Sequence, residues 1–177
     1  MTKRIMILLF SSIIFDATNI NPQDIDKQRV IELFDGSQNL IVSISDGIRA
    51  SVVHIDVVKK SNDFKYKVLA SGLIVDKRGY IFTNQHVVDD ALSVTVTLLS
   101  KLEYPAEIIG TDKQTDLALI KIETPETLLV PIMGNSDQVE VGEWLIAVGN
   151  PYGFDRTVSF GIVSGKGRVL ADLTLEG

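Results

Sequence analysis

Leu92, Val94, Val96 and Leu98 alternate with Ser93, Thr95 and Thr97. Apolar residues at every second position suit a strand with one face on a core and the other in water. The same signature recurs along the chain. Val53, Ile55 and Val57 alternate with His54, Asp56 and Val58, and further strands are expected at 68–75, 80–83, 106–109, 117–122, 144–148 and 158–164. Turn signals separate them. Asp76-Lys77-Arg78-Gly79 places Gly where a positive φ is often needed, and Thr124-Pro125, Pro131, Gly142 and Gly149-Asn150-Pro151 mark other connections. Short strands with no long amphipathic helix between them predict an all-β barrel or sandwich.

The N-terminal part reads differently. Thr2-Lys3-Arg4 is basic, and Ile5 to Phe15 is an apolar run of 11 residues broken only by Ser11 and Ser12. This is the layout of a secretory signal peptide, although Phe15-Asp16-Ala17 puts an aromatic residue where a cleavage site wants a small one. A membrane-spanning helix needs about 20 apolar residues, so the run is too short to span. Residues 1–20 are therefore expected to be a signal peptide or N-terminal hydrophobic segment, directing export. Residues 21–48 are expected to form a polar, mobile leader followed by a short helix. Ser37 would cap that helix, with Leu40, Ile41, Ile44 and Ile48 along it.

Composition excludes several functions. A net charge of −6 argues against nucleic-acid binding, which needs a basic face to neutralise phosphates. The absence of cysteine excludes disulfides, Cys-rich zinc sites and Cys nucleophiles. The 2 histidines, His54 and His86, lie far apart in sequence, which argues against a His-based metal site. No metal or cofactor is expected.

His86 stands at the end of a strand, in Thr83-Asn84-Gln85-His86-Val87-Val88. Imidazole titrates near neutrality, so it can take a proton from a nucleophile and return it to a leaving group. It then needs a buried carboxylate on its Nδ1–H to fix the tautomer and stabilise the imidazolium. Asp116, just before the apolar stretch Leu117 to Ile122, is the candidate. A lone His at a strand end is more often a surface or satisfied core residue, and a lone Asp there a turn residue. The surrounding sequence changes the balance.

Ser71-Gly72-Leu73-Ile74-Val75-Asp76, Gly79-Tyr80-Ile81-Phe82 leading into the His86 segment, Gly110-Thr111-Asp112 and Thr115-Asp116-Leu117-Ala118-Leu119-Ile120-Lys121 occur in one order. Gly149-Asn150-Pro151-Tyr152-Gly153 and Thr157-Val158-Ser159-Phe160-Gly161-Ile162-Val163-Ser164 follow. From about Ser51 to Arg168 the set resembles the HtrA/Do, or Deg, family of trypsin-like serine proteases. The resemblance implies a chymotrypsin/trypsin-like double β-barrel with the active site between the barrels. The first barrel would occupy residues 49–135, and residues 136–177 would form an incomplete second one. It implies that His86 and Asp116 are the first two members of a Ser-His-Asp triad. It also implies unfolded or misfolded polypeptide substrates, a periplasmic or cell-envelope setting, and a homo-oligomer built on trimers.

The family's Gly-Asn-Ser-Gly-Gly nucleophile stretch does not occur in these 177 residues, nor do the adjoining oxyanion-hole donors. Ser136, in Gly134-Asn135-Ser136-Asp137, lacks the following glycine and lies only 20 residues beyond Asp116. Ser164 is expected at a strand end, and Ser71 to be structural. The chain as given is therefore expected to be proteolytically inactive. The alternative is a truncated, non-catalytic paralogue or fragment that binds unfolded chains or joins intact subunits. Among the remaining residues, His54 is expected at a surface or an interface, Trp144 in the core of the second barrel, and Lys59, Lys60, Lys65 and Lys67 on a solvated hairpin.

Overall fold

A computed structural model describes residues 27–61, 64–149 and 157–167, together with the backbone at 7–8 and 14–15. The chain divides into two compact units, residues 1–42 and 43–177. In the first, β1 (Ile7–Leu8) pairs antiparallel with β2 (Ile14–Phe15). Helix α1 (Lys27–Arg49) begins in that unit and ends in the second. It is much longer than the short helix expected, and it takes in most of the stretch read as a leader. Ser37 does not cap it. Its Oγ donates to the Leu33 carbonyl one turn back, 2.8 Å away, so the hydroxyl is satisfied inside the helix. Among the described residues no helix is long and apolar enough to cross a membrane.

Six strands of the second unit come first: β3 (Val52–Ser61), β4 (Phe64–Ile74), β5 (Tyr80–Asn84), β6 (Ala91–Thr97), β7 (Glu103–Asp112) and β8 (Leu117–Ile122). They close into an antiparallel barrel in the order β3-β4-β5-β8-β7-β6. Closure removes the free edges that an open sheet would offer to other chains. The inward positions carry the alternation seen in the sequence. Val53, Ile55 and Val57 from β3, Ile74, Ile81, Val94, Val96, Ile120 and Ile122 form one buried cluster. Each such side chain contributes roughly 1.5–3 kcal/mol by leaving water.

Leu92 is an exception to its own pattern. Val58 faces Ser93 across β3 and β6, but Lys59 faces Ala91, so the register shifts there. Leu92 is left over in a β-bulge and is 54% exposed, whereas Val94, Val96 and Leu98 are buried. Gly72 sits where the barrel is tight. A Cβ there would lie 2.7 Å from an Ile81 methyl and 2.8 Å from the Ile55 side chain.

Beyond β8, Ser136–Gln138 forms a single 3-10 turn. The Asn135 side chain accepts from Asp137 N, 3.0 Å away, and the Lys166 ammonium donates to the Asp137 and Val139 carbonyls. Strands β9 (Trp144–Gly149) and β10 (Thr157–Ile162) pair antiparallel. Trp144 is not a core residue. It is 57% exposed and packs edge-to-face on Phe160 with ring centroids 5.3 Å apart. The reason is architectural: among the described residues this ribbon has two strands and no layer over its faces.

The Asp76–Gly79 turn follows expectation and is tighter than the sequence implies. Gly79 has φ of +93°, and a Cβ there would lie 2.1 Å from the Ile122 carbonyl oxygen. Asp76 accepts from the Arg78 amide at 2.8 Å and pairs with the Arg78 guanidinium, which holds its carboxyl at about 2. Gly79→Ala should therefore cost more than the roughly 1–2 kcal/mol of left-handed strain alone, because the β5–β8 contact must also open. A drop in thermal midpoint of several degrees checks this, and an unchanged midpoint would contradict it.

Candidate active site

The barrel register builds the site. Strands β5 and β8 pair Thr83 with Ala118 and Asn84 with Leu117. One step further, the chain leaves both strands together, and the Gln85 amide donates to the Asp116 carbonyl at 3.0 Å. Residues Gln85–Val88 then form a single helical turn, α2, with Gln85, Val87 and Val88 buried. His86 is the outward residue of that turn, its side chain 68% exposed.

Asp116 adopts φ of +54°, a conformation uncommon for residues other than glycine but tolerated by Asp. The strain is held by hydrogen bonds. Its Oδ1 accepts from the His86 amide at 3.0 Å, and its Oδ2 lies 2.8 Å from His86 Nδ1. The Asn84 side-chain amide donates to the same Oδ2 at 3.1 Å. One carboxylate thus fixes both the backbone and the ring of His86. These bonds to the charged form hold the Asp116 pKa below the ordinary carboxylate value. The His86 amide contributes most, partial burial opposes it, and the His86 ring and Asn84 add to the lowering.

The expectation of a buried carboxylate is corrected here. Asp116 is 43% exposed, so hydrogen bonds rather than apolar packing hold it. His86 Nδ1 thus faces Asp116, and Nε2 has no hydrogen-bond partner among the described residues.

The other polar candidates do not join this pair. Ser136 belongs to the 3-10 turn, and its carbonyl accepts from the Val139 amide at 3.3 Å. The Ser164 hydroxyl donates to the Ile162 carbonyl at the end of β10. Ser71 offers its carbonyl to the buried Thr83 hydroxyl at 2.9 Å, a structural role. His54 is not a surface residue. Its side chain is only 12% exposed, its Nε2 lies 3.3 Å from Asp56 Oδ2, and its Nδ1 is buried without a hydrogen-bond partner. Its neighbours across the sheet are Ser71 and Thr97. Among the described residues no cluster of His, Asp and Glu could hold a metal ion.

Two contributors were not foreseen. Asn84 was read only as part of a motif, yet its amide supports the Asp116 carboxylate. Lys59 was assigned to a solvated hairpin, yet its ammonium donates to the His86 carbonyl at 2.7 Å. A cavity of about 390 Å³ opens beside the pair, lined by Val52, Leu73, Phe82 and Leu117 from the barrel and by Ile146 and Val148 from β9. Its wall includes Asn84 and Leu117 but neither His86 nor Asp116.

The lowered Asp116 pKa carries a pH signature. A carboxylate with a depressed folded pKa stabilises the fold above its unfolded pKa of about 3.9, and that contribution is lost as pH falls through the folded value. Carboxyl ¹³C titration should place Asp116 below the ordinary carboxylate value, and Asn84→Asp should raise it by adding a like charge. Titration of Asp116 at the ordinary value would contradict the hydrogen-bond pattern.

Comparison with known proteins gives the same direction. Residues 70–175 match the sequence model of the trypsin-like peptidase domain. A probable periplasmic serine endoprotease DegP-like from Pseudomonas fulva (strain 12-X) is 51% identical over 102 residues, 58% of this chain and 21% of the relative. Its counterpart from Chlamydia trachomatis serovar D is 50% identical over 101 residues, 57% of this chain and 20% of the relative. One from Marinomonas sp. (strain MWYL1) is 49% identical over 102 residues, 58% and 22% respectively. The matched part spans about a fifth of each of these curated relatives. A closed six-stranded barrel, a histidine and an aspartate joined across its β5–β8 end, and a match over residues 70–175 place the chain in the trypsin-like peptidase domain family, with DegP-like serine endoproteases among its relatives.

Proposed function

We propose that the chain carries the base half of a DegP-like serine endopeptidase, with His86 as general base and acid and Asp116 as the residue that orients it. The observation that carries this reading is the 2.8 Å contact between His86 Nδ1 and Asp116 Oδ2, made while the same carboxylate holds the His86 amide. A ring fixed in that way keeps Nε2 free to accept a proton from a hydroxyl and to deliver it to a leaving amine. The substrates would be unfolded or misfolded polypeptides. The relatives' printed names support a periplasmic or envelope setting, and degradation of damaged envelope proteins is the role that fits it. Residues 49–135 would be the first barrel of the protease domain and 136–177 the start of the second.

No serine among residues 1–177 stands in the family's nucleophile motif. Loss of the nucleophile alone costs about 10⁶ in kcat, and loss of an oxyanion donor about 10²–10³, not additively. The polypeptide of residues 1–177 should hydrolyse fluorescent casein no faster than its His86→Ala variant. Hydrolysis that disappears in His86→Ala would overturn the inactivity of this segment while supporting His86 as the base.

A second reading rests on the β9–β10 ribbon, where Trp144, Phe160 and Ile162 are 57%, 49% and 56% exposed. Apolar faces of this kind favour association, so a non-catalytic subunit that binds unfolded chains or its intact homologues is the alternative. Sedimentation distinguishes the two. A concentration-dependent oligomer, such as the trimer that the family resemblance implies, supports association, and a monomer that unfolds cooperatively counts against it.

A further inference from the structure

The turn that carries His86 is too short to hold itself. Within α2 the Asp89 amide donates to the Gln85 carbonyl at 3.0 Å, and the turn ends at Asp90, whose φ is +54°. No following amide reaches the His86 carbonyl among the described residues. A helix end leaves its last carbonyls without intrahelical partners, and a lysine ammonium near that end suits both the orphan oxygen and the negative end of the turn. Lys59 is that ammonium, 2.7 Å from the His86 carbonyl oxygen.

Lys59 reaches this position from the inward side of β3. It continues the alternation of the buried Val53, Ile55 and Val57 and is itself half-buried. Its partner on β4 is Tyr66, and the register shift at Val58/Lys59 puts Ala91 rather than Leu92 opposite it on β6. Its neighbour Lys60 is exposed and faces Lys65 across the hairpin, with no acidic partner among the described residues.

We propose that Lys59 is a positioning residue for His86. His86 would then be held at three points: its amide by Asp116 Oδ1, its ring by Asp116 Oδ2, and its carbonyl by Lys59. The first two fix the ring against the carboxylate. The third fixes the backbone from the opposite side, so that the turn cannot tilt and draw the imidazole off Asp116. The bond is charge-assisted and therefore stronger than a neutral one.

The importance of this contact rests on the reading of His86 as the base, but its test reads the turn directly and needs no proteolysis. In the chain of residues 1–177, amide hydrogen exchange at His86 should rise about tenfold or more in Lys59→Met, the factor expected when one charge-assisted bond to the turn is lost. The order parameter of the His86 ring ¹³C–¹H groups should fall in the same variant. Lys59→Arg should restore both, and Lys60→Met, on the solvated side of the hairpin, should change neither. An unchanged His86 amide in Lys59→Met, or an equal change in Lys60→Met, would overturn the proposal. Should Lys59→Met fail to fold, Lys59→Gln gives the same reading, because a neutral amide reaches less far and carries no charge. The comparison of casein hydrolysis with His86→Ala bears on the catalytic reading alone, and the exchange difference on Lys59 alone.

Discussion

The Asp116 carboxylate is the interaction on which the rest of the site depends. It is placed by the β5–β8 register, which ends both strands side by side at Asn84 and Leu117. It accepts from the His86 amide, faces the His86 ring and is backed by Asn84. A shift of one residue in that register would turn the inward Ile81 and Ile120 outward and separate the pair. The buried core therefore enforces the geometry of the pair: the hydrophobic pattern that selects the register also selects which carboxylate meets the imidazole.

Much of this was legible in the residues. The alternation of Val53, Ile55 and Val57, and of Val94, Val96 and Leu98, marked inward faces correctly, because period-2 patterning reports a half-buried strand directly. His86 and Asp116 were legible as candidates because their surrounding segments come in a recognisable order. What escaped was set by tertiary contacts. The bulge at Leu92 has no local signal, since its alternation with Ser93 is as regular as that of the buried residues. Lys59 looked like any hairpin lysine, because nothing local shows that the His86 carbonyl lies within reach of its ammonium. Ser37 had the composition of a helix cap, yet the helix already ran through it, and its hydroxyl bonds back to Leu33.

The barrel and the ribbon differ in physical character. The six-stranded barrel closes on itself and buries its inward apolar side chains almost completely, while Phe64, Leu92 and Ile109 stay exposed on it. The β9–β10 ribbon pairs its backbone but leaves Trp144, Leu145, Phe160 and Ile162 substantially exposed. His86 and Asp116 stand on the closed side. A constellation is most reliably held on rigid elements, and the pair draws its rigidity from β5, β8 and the carboxylate rather than from the ribbon.

The most direct test of the account is the tautomer of His86, read from its imidazole ¹⁵N resonances at a pH where the ring is neutral. Proton transfer to Nε2 requires the hydrogen on Nδ1, donated to Asp116. The account predicts a protonated Nδ1 and an unprotonated Nε2 in the unmodified chain, with the preference lost in Asp116→Asn. A neutral ring carrying its proton on Nε2, or a preference that survives Asp116→Asn, would contradict it.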